Sequence, residues 1–241
     1  MFTEVRAARR HRAEGDRMLQ IDADAVRWRE GSTAPKGPGS ATGSTTGSAT
    51  GAARELLVVM HGIGSHEGDL FGLAPHLPAE LDIASLRGPI PYGGGFAWFE
   101  FSPVDSDDHA LIDEAAAAVL AWLDGLERQY DRVHLLGFSQ GGAMAVQLVR
   151  MAPERFASIA HLASFVHAGE LPGDAVLAAR EPRIPVLTTI GTLDQVIHPD
   201  KIARSGPWLD AHFDVDRRTY ERPHTIVGEE LADVVAFLQR V

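Results

Sequence analysis

Gly137-Phe-Ser139-Gln-Gly141 is the arrangement in this chain best suited to chemistry. The apolar run Val133–Phe138 leads into it and an alanine-rich run follows, so the segment reads as strand, sharp turn, helix. A serine at the tip of such a turn exposes its hydroxyl, and glycines two places on either side leave room for neighbouring backbone. The turn aims the N–H of Gln140 at the place where an oxyanion would develop, and the helix adds its positive N-terminal end. By chance a G-x-S-x-G arises in roughly one chain in ten of this length. The strand before it and the helix after it are what separate a nucleophile from a glycine-rich packing turn.

A serine hydroxyl is inert near neutral pH without a base, and histidine suits that role. The chain has eleven histidines, so position has to decide between them. Where a serine sits on a strand–turn–helix of this kind, the other two groups follow in the order Asp or Glu, then His. His224, in Glu221-Arg-Pro-His-Thr-Ile-Val-Gly228, falls between the last strand pattern and the closing helix, in a loop at the carboxyl end of the sheet. Asp194 ends Gly191-Thr-Leu-Asp, directly after the strand pattern Pro185–Ile190, where its carboxylate can orient the imidazole. Asp174 and Asp200 compete for that role, but neither directly follows a strand. His198 lies too close behind Asp194, and His161 and His167 are expected to line the site or face solvent.

His61-Gly-Ile-Gly-Ser-His-Glu-Gly-Asp69 follows the first core strand. Its H-G-x-G turn is expected to supply a second oxyanion donor, the main-chain N–H of Ile63, alongside that of Gln140. His66, Glu67 and Asp69 match no standard metal spacing, so neither a metal nor any other cofactor is expected.

These groups need a scaffold. Short apolar, β-branched runs at Glu55–Met60, Leu81–Leu86, Val133–Phe138, Ser158–Ala163, Pro185–Ile190 and Phe213–Tyr220 read as strands. Helical periodicity covers about Asp108 to Tyr130, Gln140–Met151 and Gly228–Arg240. Such alternation implies a mostly parallel sheet with helices on both faces and the chemistry at the carboxyl ends of the strands. Asp24–Trp28 reads as an edge strand. Residues 1–20 are expected to form a flexible arm. Residues 21–241 are expected to form one domain, interrupted by a flexible Gly/Ser/Thr-rich loop at 31–53, which has no large apolar side chain to bury.

Composition narrows the function classes. With 241 residues, 45% hydrophobic and 23% charged, the chain can bury a substantial core. Its net charge of -11 opposes nucleic-acid binding. The absence of cysteine rules out a disulfide framework, a thiolate zinc site and a cysteine nucleophile. No apolar run reaches the roughly 18 residues of a membrane span, and no apolar stretch follows the arginines of Met1–Arg17, so a cytoplasmic location without a signal peptide is expected. A homodimer is neither favoured nor opposed.

HGIGSHEGDLFGLAPHLP, LRGPIPYGGGFAWFE, LLGFSQGGAMA, GTLDQVIHP and the His224 loop, in that order, resemble the phospholipase/carboxylesterase family, from about Glu55 to the C-terminus. The resemblance implies an α/β-hydrolase fold without a large cap domain. It implies a cofactor-free serine carboxylesterase acting on small-molecule esters through an acyl-enzyme, and the segment Ser164–Arg183, with few lid features and no long insertion, suggests an open site for short to medium acyl chains. It also implies that Trp98, Phe96 and Phe165 line the acyl pocket, the alternative for Trp98 being an ordinary core aromatic. An acyl thioesterase or lysophospholipase with the same triad is the nearest alternative, and a non-catalytic small-molecule-binding relative is a further one. The tract at 31–53 departs from the family by its length. A histidine base must be unprotonated to act, so ester hydrolysis should rise from acid to neutral pH; a flat rate–pH profile would exclude it.

Overall fold

In a computed structural model, residues 18–32, 53–100 and 109–241 are described. Nearly all of the expected N-terminal arm and of the 31–53 tract lies outside them, as does Asp108, the expected start of a helix.

In chain order the strands and helices are β1 (Arg27–Arg29), β2 (Glu55–Met60), α1 (Glu67–Phe71), β3 (Asp82–Leu86), β4 (Ile90–Tyr92), β5 (Gly95–Ala97), α2 (Ala110–Asp124), β6 (Arg132–Phe138), α3 (Gln140–Met151), β7 (Ser158–Leu162), α4 (Pro172–Ala179), β8 (Pro185–Gly191), α5 (Pro199–His212), β9 (Asp214–Tyr220) and α6 (Gly228–Arg240). Seven strands form one sheet in the order β1-β3-β2-β6-β7-β8-β9, and β4 and β5 form a separate hairpin. Only β1 runs antiparallel in the large sheet, pairing Arg27 with Ser85 and Arg29 with Ile83; its other pairs are parallel. This is the α/β-hydrolase architecture.

The alternation of side chains along each strand divides the core in two. Leu56, Val58, Met60, Leu135, Ile159 and Val186 face one way, onto apolar residues of α2, α3, α4 and α5 such as Ile112, Val119, Val146, Leu177 and Leu209. Leu57, Val59, Leu136, Ala160 and Leu187 face the other way, onto Leu70 of α1 and Val234, Phe237 and Leu238 of α6. Both faces are covered, which is why the central strands read as continuous apolar runs. Among the described residues no helix is long and apolar enough to cross a membrane.

Several boundaries differ from the sequence expectation, each for a local reason. The long helix does not continue to Tyr130: α2 stops at Asp124, capped by Gly125, and polar residues follow. The first edge strand is displaced. The Asp22 carboxylate caps a short 3-10 turn at Ala23–Ala25, so the paired strand is Arg27–Arg29. The patterns did not suggest α5, whose Gly206 and Pro207 interrupt helical propensity but lie inside an ordered helix. Leu136→Ala, at a position without solvent exposure in β6, should lower unfolding free energy by about 2–5 kcal/mol. Leu193→Ala, on a loop and 55% exposed, should change it by no more than about 0.5 kcal/mol. Urea unfolding of both variants checks the contrast.

Candidate active site

β6 runs straight into Ser139, whose backbone has φ 55° and ψ −119°. A left-handed φ is costly for a non-glycine residue and persists only where its surroundings hold it. Here the Ser139 N–H donates to the Leu162 carbonyl (2.9 Å), and the Ser139 carbonyl accepts from the Ser164 hydroxyl (2.5 Å). The flanking glycines are required by proximity. A Cβ at Gly137 would lie 2.2 Å from the Gly141 carbonyl oxygen, and one at Gly141 would lie 2.0 Å from that of Met60. The turn is wedged between β2, β7 and the start of α3. Ser139 itself is 6% exposed.

Asp194 and His224 meet at the ends of the adjacent strands β8 and β9. His224 Nδ1 lies 2.7 Å from Asp194 Oδ2. In a neutral imidazole the nitrogen facing a carboxylate is the one that carries the proton, which leaves the lone pair on Nε2. Asp194 is held in turn by N–H donors from Val196 (2.8 Å) and Ile197 (3.3 Å) to Oδ1. Burial of Asp194 works against its ionised form, but the His224 bond and the two N–H donors outweigh burial and hold its pKa below the usual value. The imidazole packs on the Phe138 ring at 4.7 Å between centroids, against the residue that precedes Ser139.

The loop after β2 closes over the same turn. A Cβ at Gly62 would come within 3.4 Å of Ser139 Cβ. Its shape comes from pairing with the β4–β5 hairpin: Gly64 N–H donates to the Phe96 carbonyl and Phe96 N–H to the Ser65 carbonyl, both at 2.8 Å. Among the described residues no main-chain acceptor takes the N–H of Ile63 or of Gln140. The Gln140 side chain is fully buried. It accepts from Trp98 N–H (2.9 Å) and donates to the Phe99 carbonyl (2.7 Å). His61 Nε2 accepts the Gly88 N–H at 3.0 Å, so its Nδ1 carries the proton and donates to the Gly62 carbonyl at 2.7 Å. Burial lowers the His61 pKa and favours this neutral form.

Below this loop, Arg87 grips Glu67 with two bonds of 2.7 Å, and its guanidinium also lies over the Phe96 ring. The Arg87 bonds are the main reason the Glu67 pKa falls to about 2. Asp69 accepts from the Ser65 hydroxyl and His66 from Gly68 N–H. Each of the three ligand-type residues in this segment thus has its own partner. Among the described residues no group of three such side chains could hold a metal ion.

Trp98 is fully buried, its indole N–H on the His61 carbonyl at 2.8 Å, and Phe165 is 3% exposed, whereas Phe96 is half-buried. His161 does not face solvent: it is buried against Thr188, and burial pushes its pKa down to about 4. Sequence reasoning passed over the Gln140 and His61 side chains, which sit within the motifs but were read for their backbone alone. It also passed over the Arg87–Glu67 pair and the contact of Arg222 Nη2 with Glu230 Oε1 at 2.6 Å, whose partners are separated in sequence and carry no local signal.

A mostly parallel sheet, a strained serine turn at the end of β6 and a carboxylate–imidazole pair beyond it are the arrangement of an α/β-hydrolase fold. Residues 42–241 match the family model described as Phospholipase/Carboxylesterase, and the chain belongs to that family, one of ester-hydrolysing enzymes. It is 28% identical over 192 residues to acyl-protein thioesterase 1 of Mycosarcoma maydis, covering 69% of this chain and 76% of that protein. Among solved structures, a carboxylesterase from Mesorhizobium loti superposes with a TM-score of 0.67 at 25% identity, over 79% of this chain and 90% of the other. Esterase PE8 shares the fold with a TM-score of 0.70 at 23% identity, over 92% of this chain and all of the other.

The Glu67 pKa has a consequence for acid stability. The carboxyl falls from an ordinary 4.5 to about 2 on folding, so its contribution is present above pH 4.5 and is lost as pH falls towards 2. Between those limits the urea midpoint of the parent should fall more steeply than that of Glu67→Gln; parallel curves would contradict the assignment.

Proposed function

We propose that this chain is a serine carboxylesterase working through Ser139, His224 and Asp194. The observation that carries the reading is the Asp194–His224 hydrogen bond at the strand ends beside the left-handed Ser139 turn. In the first step His224 Nε2 takes the Ser139 hydroxyl proton as Oγ attacks the ester carbonyl carbon. The resulting oxyanion is held by the N–H groups of Ile63 and Gln140. Asp194 keeps the imidazole in its tautomer and stabilises the imidazolium. As the carbonyl re-forms, the C–O bond to the alcohol breaks, and His224 returns the proton to the departing alkoxide oxygen. Water then attacks the acyl-enzyme by the same sequence and releases the acid and free Ser139.

Short- to medium-chain esters suit the site. The connection from β7 to β8 holds one eight-residue helix, α4, and no inserted cap. Thioesters are the second reading, supported by the relative named as an acyl-protein thioesterase. Parallel assays on p-nitrophenyl esters and acyl-thioesters of matched chain length rank the two.

Fluorophosphonate labelling with peptide mapping tests the nucleophile. The adduct should sit on Ser139 alone and vanish in Ser139→Ala, while His224→Ala and Asp194→Asn should lower kcat by about 10³-fold or more. Folded protein that stays unlabelled at Ser139 would end the hydrolase reading.

A further inference from the structure

Between β9 and α6 the chain must hold His224 against Asp194, yet the loop is short, irregular and at the sheet edge. Two charged side chains here have no solvent exposure: that of Arg222, in the loop two residues before His224, and that of Glu230, in the first turn of α6 six residues after it. Arg222 Nη2 donates to Glu230 Oε1 at 2.6 Å, and Nε lies 2.6 Å from Oε2, close but out of line for a hydrogen bond. Glu230 also accepts from the Thr189 hydroxyl of β8 (2.6 Å) and from Val227 N–H (3.4 Å). Arg222 Nη1 donates to the Pro223 carbonyl at 3.1 Å.

One carboxylate therefore closes the segment 222–230 into a ring and ties it to the strand that delivers the acid. The acid loop hangs from the same joint. Leu193 N–H donates to the Arg222 carbonyl (3.1 Å) and Thr192 N–H to that of Tyr220 (2.9 Å). Gly191 lies so near that a Cβ there would be 2.4 Å from the Arg222 carbonyl oxygen. His224 and Asp194 are thus fixed with respect to each other through Arg222.

A buried ion pair is a poor way to gain stability, since two apolar side chains of similar volume commonly do as well. Its strength is geometry: the planar guanidinium fixes direction as well as distance. We infer that Arg222 and Glu230 are positioning residues for the proposed base, setting the His224 imidazole against Asp194 and the Ser139 turn. This rests on the triad reading above.

The test uses the full chain as parent, Arg222→Lys, Glu230→Gln and the apolar replacement Arg222→Met/Glu230→Leu. Four quantities are read: thermal melting, kcat and KM on p-nitrophenyl acetate, and the downfield NMR resonance of the His224 Nδ1 proton. The double variant should melt within about 5 °C of the parent. Its kcat should fall by about ten- to a hundredfold with KM changed by no more than about twofold, and its downfield resonance should broaden or shift. Arg222→Lys, which keeps the charge but not the fork, should fall between the two. A folded variant with parental kcat and an unaltered resonance would overturn the inference. If the double variant does not fold, Glu230→Gln below its melting temperature decides in the same way. The resonance needs no turnover, so it reports on positioning even if the parent neither hydrolyses esters nor labels at Ser139, an outcome that would defeat the triad reading alone.

Discussion

Three backbones converge where β6 turns into α3, and the distances there leave no space for side chains. Gly137 sits against Gly141, and Gly141 sits against the Met60 carbonyl of β2. That contact lets the turn at Ser139 be sharp, and the neighbouring β7 holds its left-handed φ through the Leu162 carbonyl and the Ser164 hydroxyl. The strain at Ser139 is local, but the restraint comes from parallel strands whose side chains are buried on both faces. A backbone conformation that an isolated peptide would abandon is kept because leaving it would disturb the central strands of the sheet.

From that turn the rest of the site is arranged by strand ends. β2 delivers the Gly62–Ser65 loop over Ser139, β8 delivers Asp194, and the chain after β9 delivers His224. Loops at the ends of a packed sheet are free in sequence but anchored at their roots, which explains how irregular segments can meet to within hydrogen-bond distance. The anchoring is done by polar side chains. Gln140 ties the turn to the segment after β5, Arg87 and Glu67 brace the loop after β2, and Arg222 and Glu230 tie the segment that carries His224 to Thr189 of β8. Buried charge is costly unless paired, and the buried Glu67, Arg222 and Glu230 each face an opposite charge. The apolar core supplies the stability, and the polar joints supply direction.

The local pattern decided a good deal. The apolar runs of β2, β6, β7 and β8 and the periodicity of α3 and α6 placed the central elements to within a residue or two, because a strand buried on both faces and an amphipathic helix each carry a distinct period. Ser139, Asp194 and His224 stood out as candidates because a nucleophile turn has steric demands visible as glycines and because chain order orders the loops. What the sequence did not disclose lay in the tertiary structure. That β1 pairs antiparallel with β3, that α2 ends at Asp124, that α5 forms across Gly206 and Pro207, and that Trp98 is wholly buried depend on what packs beside each segment. The partnership of Arg222, Glu230 and Thr189 is of the same kind. A charged residue in a sequence reads as a surface residue, and only the docking of α6 onto the sheet decides that two of them are sealed together against Thr189 of β8.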